Sequence, residues 1–243
     1  MHSHPGTLVP EHIRERFTGN PEHGPRPISF GEGTTDDYAR LARLHYRAAA
    51  PATIVRVMIA TDESTGELAG VMLTSRPTLN GSWRRLAWPG RFEAKNKSAQ
   101  ARRINDELRT ISRVIIDPRY RGTGIARRLV RVYLDTPDTS CTEAVAAMGP
   151  VCPFFERAGM TAYPIADPAR NDRLRRRLDA LRLTVDDLLK PIEAESKLAG
   201  SLRSWAKQSA ATRRIAEGEI PQIARAAACA LIAPPTAYAH TAG

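Results

Sequence analysis

Between Leu108 and Leu134 a β-branched run stops at Asp117-Pro118, turns on two glycines and enters an amphipathic stretch. Few local structures accommodate that order. Leu108 to Ile116, with Val114-Ile115-Ile116 at its end, predicts a buried strand. Gly124 to Leu134 predicts a helix whose apolar positions are Ile125, Leu129, Val132 and Tyr133. The helix begins inside the turn Arg121-Gly122-Thr123-Gly124, so its first amides have no carbonyl to bond. Glycines let a ligand approach the backbone closely, and the helix dipole favours negative charge there by about 0.3–1 kcal/mol. Such a turn is a cradle for an anion, and phosphate is the expected one. A Walker A loop is excluded because no Gly-Lys pair follows, and a dinucleotide fingerprint because Arg127 stands where its third glycine belongs.

The surroundings give the turn a domain. Thr34 and Thr35 precede acids and an apolar stripe, which predicts a capped helix from Asp36 to Tyr46. Ile54–Ala60 and Leu68–Ser75, joined by the turn residues Asp62–Gly66, predict a hairpin. Thr142–Met148 predicts a further strand, and Phe154–Ala158 a short helix closed by Gly159. The boundaries expected are a flexible arm over 1–27, one domain over 28–165 with an inserted loop at 76–106, a helical extension over 166–232, and a disordered tail over 233–243. The inserted loop carries Trp83 and Trp88 among arginines, which argues against simple disorder. It reads as a lid over a second substrate, or as a surface that stacks nucleic-acid bases.

The turn resembles the acetyl-CoA loop of the GNAT superfamily of N-acetyltransferases, Q/R-x-x-G-x-G/A, here Arg121-Gly122-Thr123-Gly124-Ile125-Ala126. Phe154-Phe155-Glu156-Arg157-Ala158-Gly159-Met160 is similar to that family's later aromatic segment. The resemblance covers roughly residues 28–165. It implies an α/β fold: a central mixed, mostly antiparallel sheet flanked by helices, splayed between the strands at 108–116 and 142–148. A helical C-terminal extension would follow. The backbone of Val114, Ile115 and Ile116 would pair with the pantetheine arm of acetyl-CoA. The segment from Arg121 and Gly122 through Thr123, Gly124, Ile125 and Ala126 to Arg127 would hold the pyrophosphate. An amine would then attack the thioester directly, after losing a proton to a base or a water chain.

Two positions depart from the family. Its usual acid is a tyrosine where this chain has Phe155, so either Tyr163, Cys152 or Tyr120 protonates the leaving thiolate, with Tyr163 the expected residue, or the thiolate leaves unassisted, or the domain only binds acyl-CoA. Relatives that acetylate protein N-termini place a glutamate at the spacing of Glu143, which makes Glu143 the expected base and Glu107 the second choice. Thr110 stands where other relatives draw a base and cannot serve as one.

The formal net charge of +10 raises the odds of an anionic partner without choosing among a phosphorylated cofactor, nucleic acid or an acidic protein. Arg173-Leu174-Arg175-Arg176-Arg177-Leu178 is a basic amphipathic run that sharpens this question. Three cysteines without a C-x-x-C pair read as free thiols, no metal-ligand cluster is evident, and no run of about 18 apolar residues marks a membrane span. The N-terminus lacks a secretory pattern, so a cytoplasmic protein is expected. The reading is thus an acetyl-CoA-dependent N-acetyltransferase with an unidentified amine acceptor and an open oligomeric state. A catalytically silent acyl-CoA-binding module and a nucleic-acid-associated basic protein remain the alternatives.

Overall fold

A computed structural model describes residues 13–17, 26–45, 51–147, 149, 152–232 and 235–243. Strands β1 (Ile13–Phe17) and β2 (Arg26–Glu32) come first. Helix α1 (Thr35–Ala42) starts where Thr34 accepts the Asp37 amide and Asp37 returns the bond, a capping box read correctly from the hydroxyl and acids. The hairpin β3 (Ile54–Asp62) and β4 (Glu67–Ser75) follows from its β-branched runs. Helices α2 (Arg84–Ala87) and α3 (Lys97–Glu107) lead into β5 (Leu108–Ile116), α4 (Ile125–Asp135) and β6 (Cys141–Ala146). Next come α5 (Phe154–Arg157) and β7 (Thr161–Pro164). Four helices succeed them: α6 (Ala169–Ala180), α7 (Lys197–Lys207), α8 (Ala210–Arg213) and α9 (Ile220–Ile232). Strand β8 (Thr236–Thr241) ends the described chain.

The eight strands form one sheet in the order β1-β2-β3-β4-β5-β6-β8-β7. Neighbours from β1 to β5 are antiparallel, and β5 and β6 are parallel. This is the mixed, mostly antiparallel sheet with flanking helices that the family resemblance implies. On one side Tyr38 and Leu41 of α1 pack with Val57, Leu68, Val71, Leu73 and Ile115. Helix α4 buries Ile125, Leu129 and Tyr133 almost completely.

The chain divides into two compact units. One comprises 1–145, 151–163 and 237–243; the other comprises 146–150 and 164–236. The second has its own core of Leu174, Leu178, Leu202, Trp205, Ile223 and Leu231 among others.

Three boundaries differ from the sequence reading. Residues 236–241, expected as disordered tail, are a strand of the sheet, with Ala237 and Tyr238 at most 1% exposed. Thr236, Tyr238 and Thr241 favour a strand, but they follow two prolines and alternate with small residues, and the strand gains its burial from its neighbours in the sheet. The loop expected at 76–106 contains α2 and α3; only Ile104 of α3 is buried, so no apolar stripe announced that helix. Residues 13–17 and 26–27, expected within the flexible arm, lie in strands, while 1–12 and 18–25 fall outside the described residues. Among the described residues no helix is long and apolar enough to cross a membrane.

Candidate active site

The strand-to-helix turn is built by local bonds. After β5, the Asp117 carboxylate accepts from the Arg119 amide and Nε, and this Arg119 contact holds its pKa below the usual range. Tyr120 is 1% exposed and donates its hydroxyl to Asp62 Oδ2 at 3.0 Å. Burial pushes the Tyr120 phenol up, and its burial and its bond to Asp62 make this candidate acid a strut of the turn. Thr123 Oγ1 donates to the Tyr120 carbonyl at 2.6 Å, which closes the turn. Gly122 (φ +80) and Gly124 (φ +86) both stand in the left-handed region. A Cβ on Gly122 would meet nothing within 4 Å, so the space beside the turn is open.

Helix α4 begins with Gly124 as its N-cap and no side chain caps it. The amides of Ile125, Ala126 and Arg127 therefore carry the unmet donors of a helix start. Ile125 points into the core while Arg121 and Arg127 stand exposed at the rim. From Arg121 to Arg127 the turn thus combines an uncapped helix start, exposed cations and open space beside Gly122.

The strand before it parts from its neighbour at a defined point. In the pairing of β4 with β5, Leu73 faces Arg113 and Thr74 faces Ile111, which leaves Ser112 as an extra residue. This is a β-bulge, and bulges bend a strand and increase its twist. The Ser112 hydroxyl lies 2.7 Å from that of Ser75 and fastens the bulge to β4. Pairing with β6 runs only from Leu108↔Cys141 to Ile111↔Ala144. Over Val114, Ile115 and Ile116 the described ladder is with β4 alone, so the expected splay begins at the bulge.

Glu143 is brought beside this gap but is engaged. Its Oε1 accepts from Arg84 Nη2 and Thr110 Oγ1, and its Oε2 from Arg84 Nε, each at 2.7 Å. The two side chains are 5% and 4% exposed. A general base must offer a lone pair to the substrate. Three of the carboxylate's roughly four acceptor sites are taken and the group is buried beside a guanidinium, which disfavours the role of base expected for Glu143. Arg84 had no sequence signal: it is one of several arginines in an apparently irregular segment. Glu107 is likewise held, by Arg91 at 2.8 Å.

The aromatic residues divide between core and site. Phe155 is 5% exposed and stacks on Phe154 at 4.3 Å and on Tyr238 at 5.0 Å. Its place is filled by packing, and Tyr238 could not be foreseen from a stretch read as tail. Tyr163, on β7, is half-buried with its ring 6.5 Å from that of Trp83. Trp83 and Trp88 are each 7% exposed, and Trp88 donates to Thr241 Oγ1 at 2.8 Å. Neither is available to stack nucleic-acid bases. The segment they anchor walls a cleft of about 450 Å³ lined by Asn80, Arg84, Arg85, Trp88, Glu93 and Gln100, among others. All three cysteines are free; Cys141 is buried, and burial pushes its thiol up, while Cys152 and Cys229 are exposed.

No protein-family model and no curated protein sequence matches the chain. Solved structures do, and many are GNAT family N-acetyltransferases. A GNAT family N-acetyltransferase of Escherichia coli, in complex with CoA, has TM-score 0.38 and 16% identity over 56% of this chain and 69% of that one. A putative arylalkylamine N-acetyltransferase of the yellow fever mosquito has TM-score 0.43 and 11% identity over 69% and 87%. The ribosomal-protein-S18-alanine N-acetyltransferase of Escherichia coli has TM-score 0.35 and 15% identity over 58% and 86%. Likeness of this degree carries no argument about what this chain does.

Proposed function

We propose that the chain binds acetyl-CoA across the end of β5 and transfers its acetyl group to an amine. The carrying observation is the conjunction of two features within thirteen residues of sequence: a strand freed from its neighbour at the Ser112 bulge, and an uncapped helix start at Gly124. A ligand with an extended amide arm and a pyrophosphate satisfies both, the arm adding to the strand and the phosphates accepting from the helix amides. The residues present fit that group: Gly122 leaves open space beside the turn and Arg121 and Arg127 add charge at its rim. Acetyl-CoA would supply the activated thioester. The chain's part is then to hold the thioester at the splay, exclude water and admit a neutral amine. Tyr163 is the residue we assign to protonating the departing thiolate, since among the described residues its hydroxyl has no bonding partner, unlike that of Tyr120. Glu143 acts in this reading as a positioning residue: with Arg84 it ties α2 to the sheet and so shapes the cleft at residues 79–104.

A second reading is favoured by the same engagement of Glu143 and by Phe155: a module that binds acyl-CoA without turning it over. Release of CoA in the presence of any amine acceptor refutes that reading.

Calorimetry with acetyl-CoA tests the site itself. Ala126→Glu adds a carboxylate at the second helical position, where acids stabilise a helix but repel a bound phosphate. Wild-type binding that weakens at least tenfold in Ala126→Glu, about 1.4 kcal/mol, and much less in Ala126→Gln supports the cradle. Equal affinities in all three proteins, or no binding by folded wild type, refutes it.

A further inference from the structure

The second unit holds a site that acyl transfer does not use. Helices α6 and α7 border a groove of about 530 Å³. Arg170, Arg173, Arg176, Arg177 and Lys197 line it, and none of the described lining residues is acidic. Asp167 and Asp172 both pair with Arg175, which is not part of the groove. Among the described residues none of the five cations has a carboxylate partner. Arg170 is fixed in place, its guanidinium 4.3 Å above the Trp205 ring and bonded to the Trp205 carbonyl and Thr212. Arg173 reaches only the neutral Gln208 side chain. Arg173, Arg176 and Lys197 are exposed and Arg177 is half-buried.

The floor of the groove is kept low. Gly200, exposed and in the interior of α7, lines it, and a Cβ added there would meet nothing within 4 Å. A glycine weakens a helix interior, and its benefit is the close approach of another backbone. The occupant's chemistry follows from what the walls offer. Leu174 and Trp205, the apolar lining residues, are each 2% exposed, so nothing receives an apolar side chain or stacks on a base. Ser201 and Ser204 add hydroxyls. Arg170, Arg173 and Arg177 recur every three or four residues along α6, about 4.5–6 Å of helix rise, a spacing on the scale of successive phosphates. Four of the five cations are arginines, whose planar forks match phosphate oxygens.

We propose that this groove binds the phosphodiester backbone of a nucleic acid without reading its bases. The proposal stands independently of the acyl-transfer site. Its test is fluorescence anisotropy of the full chain with a labelled 20-nucleotide single strand and the matching duplex, over a salt series. Neutralising four or five phosphates gives a slope of log affinity against log salt of about −3 to −3.5 for the single strand and about −3.6 to −4.5 for the duplex. Gly200→Glu places a carboxylate among the five cations while improving helix propensity. It is expected to weaken binding about five- to tenfold at moderate salt and to make the slope shallower by about one. Gln222→Glu, which adds the same charge on an exposed position of α9 outside the groove, is expected to change affinity less than twofold. Should Gly200→Glu fail to fold by circular dichroism, Arg176→Gln serves, with about a threefold loss expected. The proposal is overturned if wild type does not bind either oligonucleotide, or if the groove variant weakens binding no more than Gln222→Glu. Equal losses would mean that the net charge of +10 acts diffusely. It is also overturned if polyglutamate competes as well as unlabelled oligonucleotide of equal charge, which would assign the groove to an acidic protein.

Discussion

Replacing Arg84 by methionine asks whether the Arg84–Glu143 pair holds the first unit together. In the wild type the carboxylate receives three hydrogen bonds of 2.7 Å, two of them from Arg84, and both side chains are at most 5% exposed. Arg84→Met removes the opposing charge and two donors together. Only Thr110 then bonds a carboxylate that water scarcely reaches. Breaking a buried pair from one side costs about 3–5 kcal/mol, because the remaining charge has lost its compensation. For a protein of this size that is roughly 6–20 °C in Tm. Arg84→Met/Glu143→Leu removes both charges and should recover most of the loss, with a coupling of about 2 kcal/mol or more between the sites.

Chemical denaturation followed by tryptophan fluorescence is the assay. Trp83 adjoins Arg84 and is 7% exposed, so it reports the unit in question. A Trp205→Phe background removes the signal of the second unit. A loss below about 1 kcal/mol in Arg84→Met, or a double variant no more stable than the single, would refute the reasoning. The same series bears on catalysis. If Glu143→Gln lowered acetyl transfer by about 10²–10⁴ while leaving stability near wild type, the carboxylate would be a base after all.

Deleting residues 236–243 withdraws a strand from between β6 and β7 and strips Phe155 of Tyr238; the expected result, read by solubility and proteolysis, is a first unit that does not fold. Tyr120→Phe removes a buried donor from the Asp62 carboxylate and should cost about 1.5–3 kcal/mol in denaturant unfolding. Asp187 lies far below the usual carboxylate range, held there first by Lys190 and then by Thr184. Its folded pKa is depressed, so its contribution is present above the unfolded value of about 3.9 and is lost as pH falls through the folded one. Asp187→Asn should therefore flatten the acid limb of unfolding followed at Trp205, and an unchanged limb would count against this assignment.

Much of the architecture was legible because its signals are local. The β-branched run of β5, the Thr34 cap and the apolar stripe of α4 each depend on residues within a turn or two of one another. The uncapped turn was legible for the same reason: two glycines and a helix start are contiguous, and their amides are set by backbone conformation. Side-chain roles were not legible in that way. Glu143 could be placed on its strand, but whether it was free depended on Arg84, fifty-nine positions away. Phe155 could be placed on its short helix, but its partner Tyr238 sat in a stretch read as tail.

From sequence alone, then, came the strand, the glycine turn, the helix and the anion they favour, since backbone geometry and helix dipoles are dictated by neighbours in the chain. Tertiary structure alone decided which carboxylates are occupied, where the strands part, and that the last strand inserts between β6 and β7. Those outcomes are long-range pairings, and a buried charge or an unpaired strand takes whichever distant partner the packed chain brings within bonding distance.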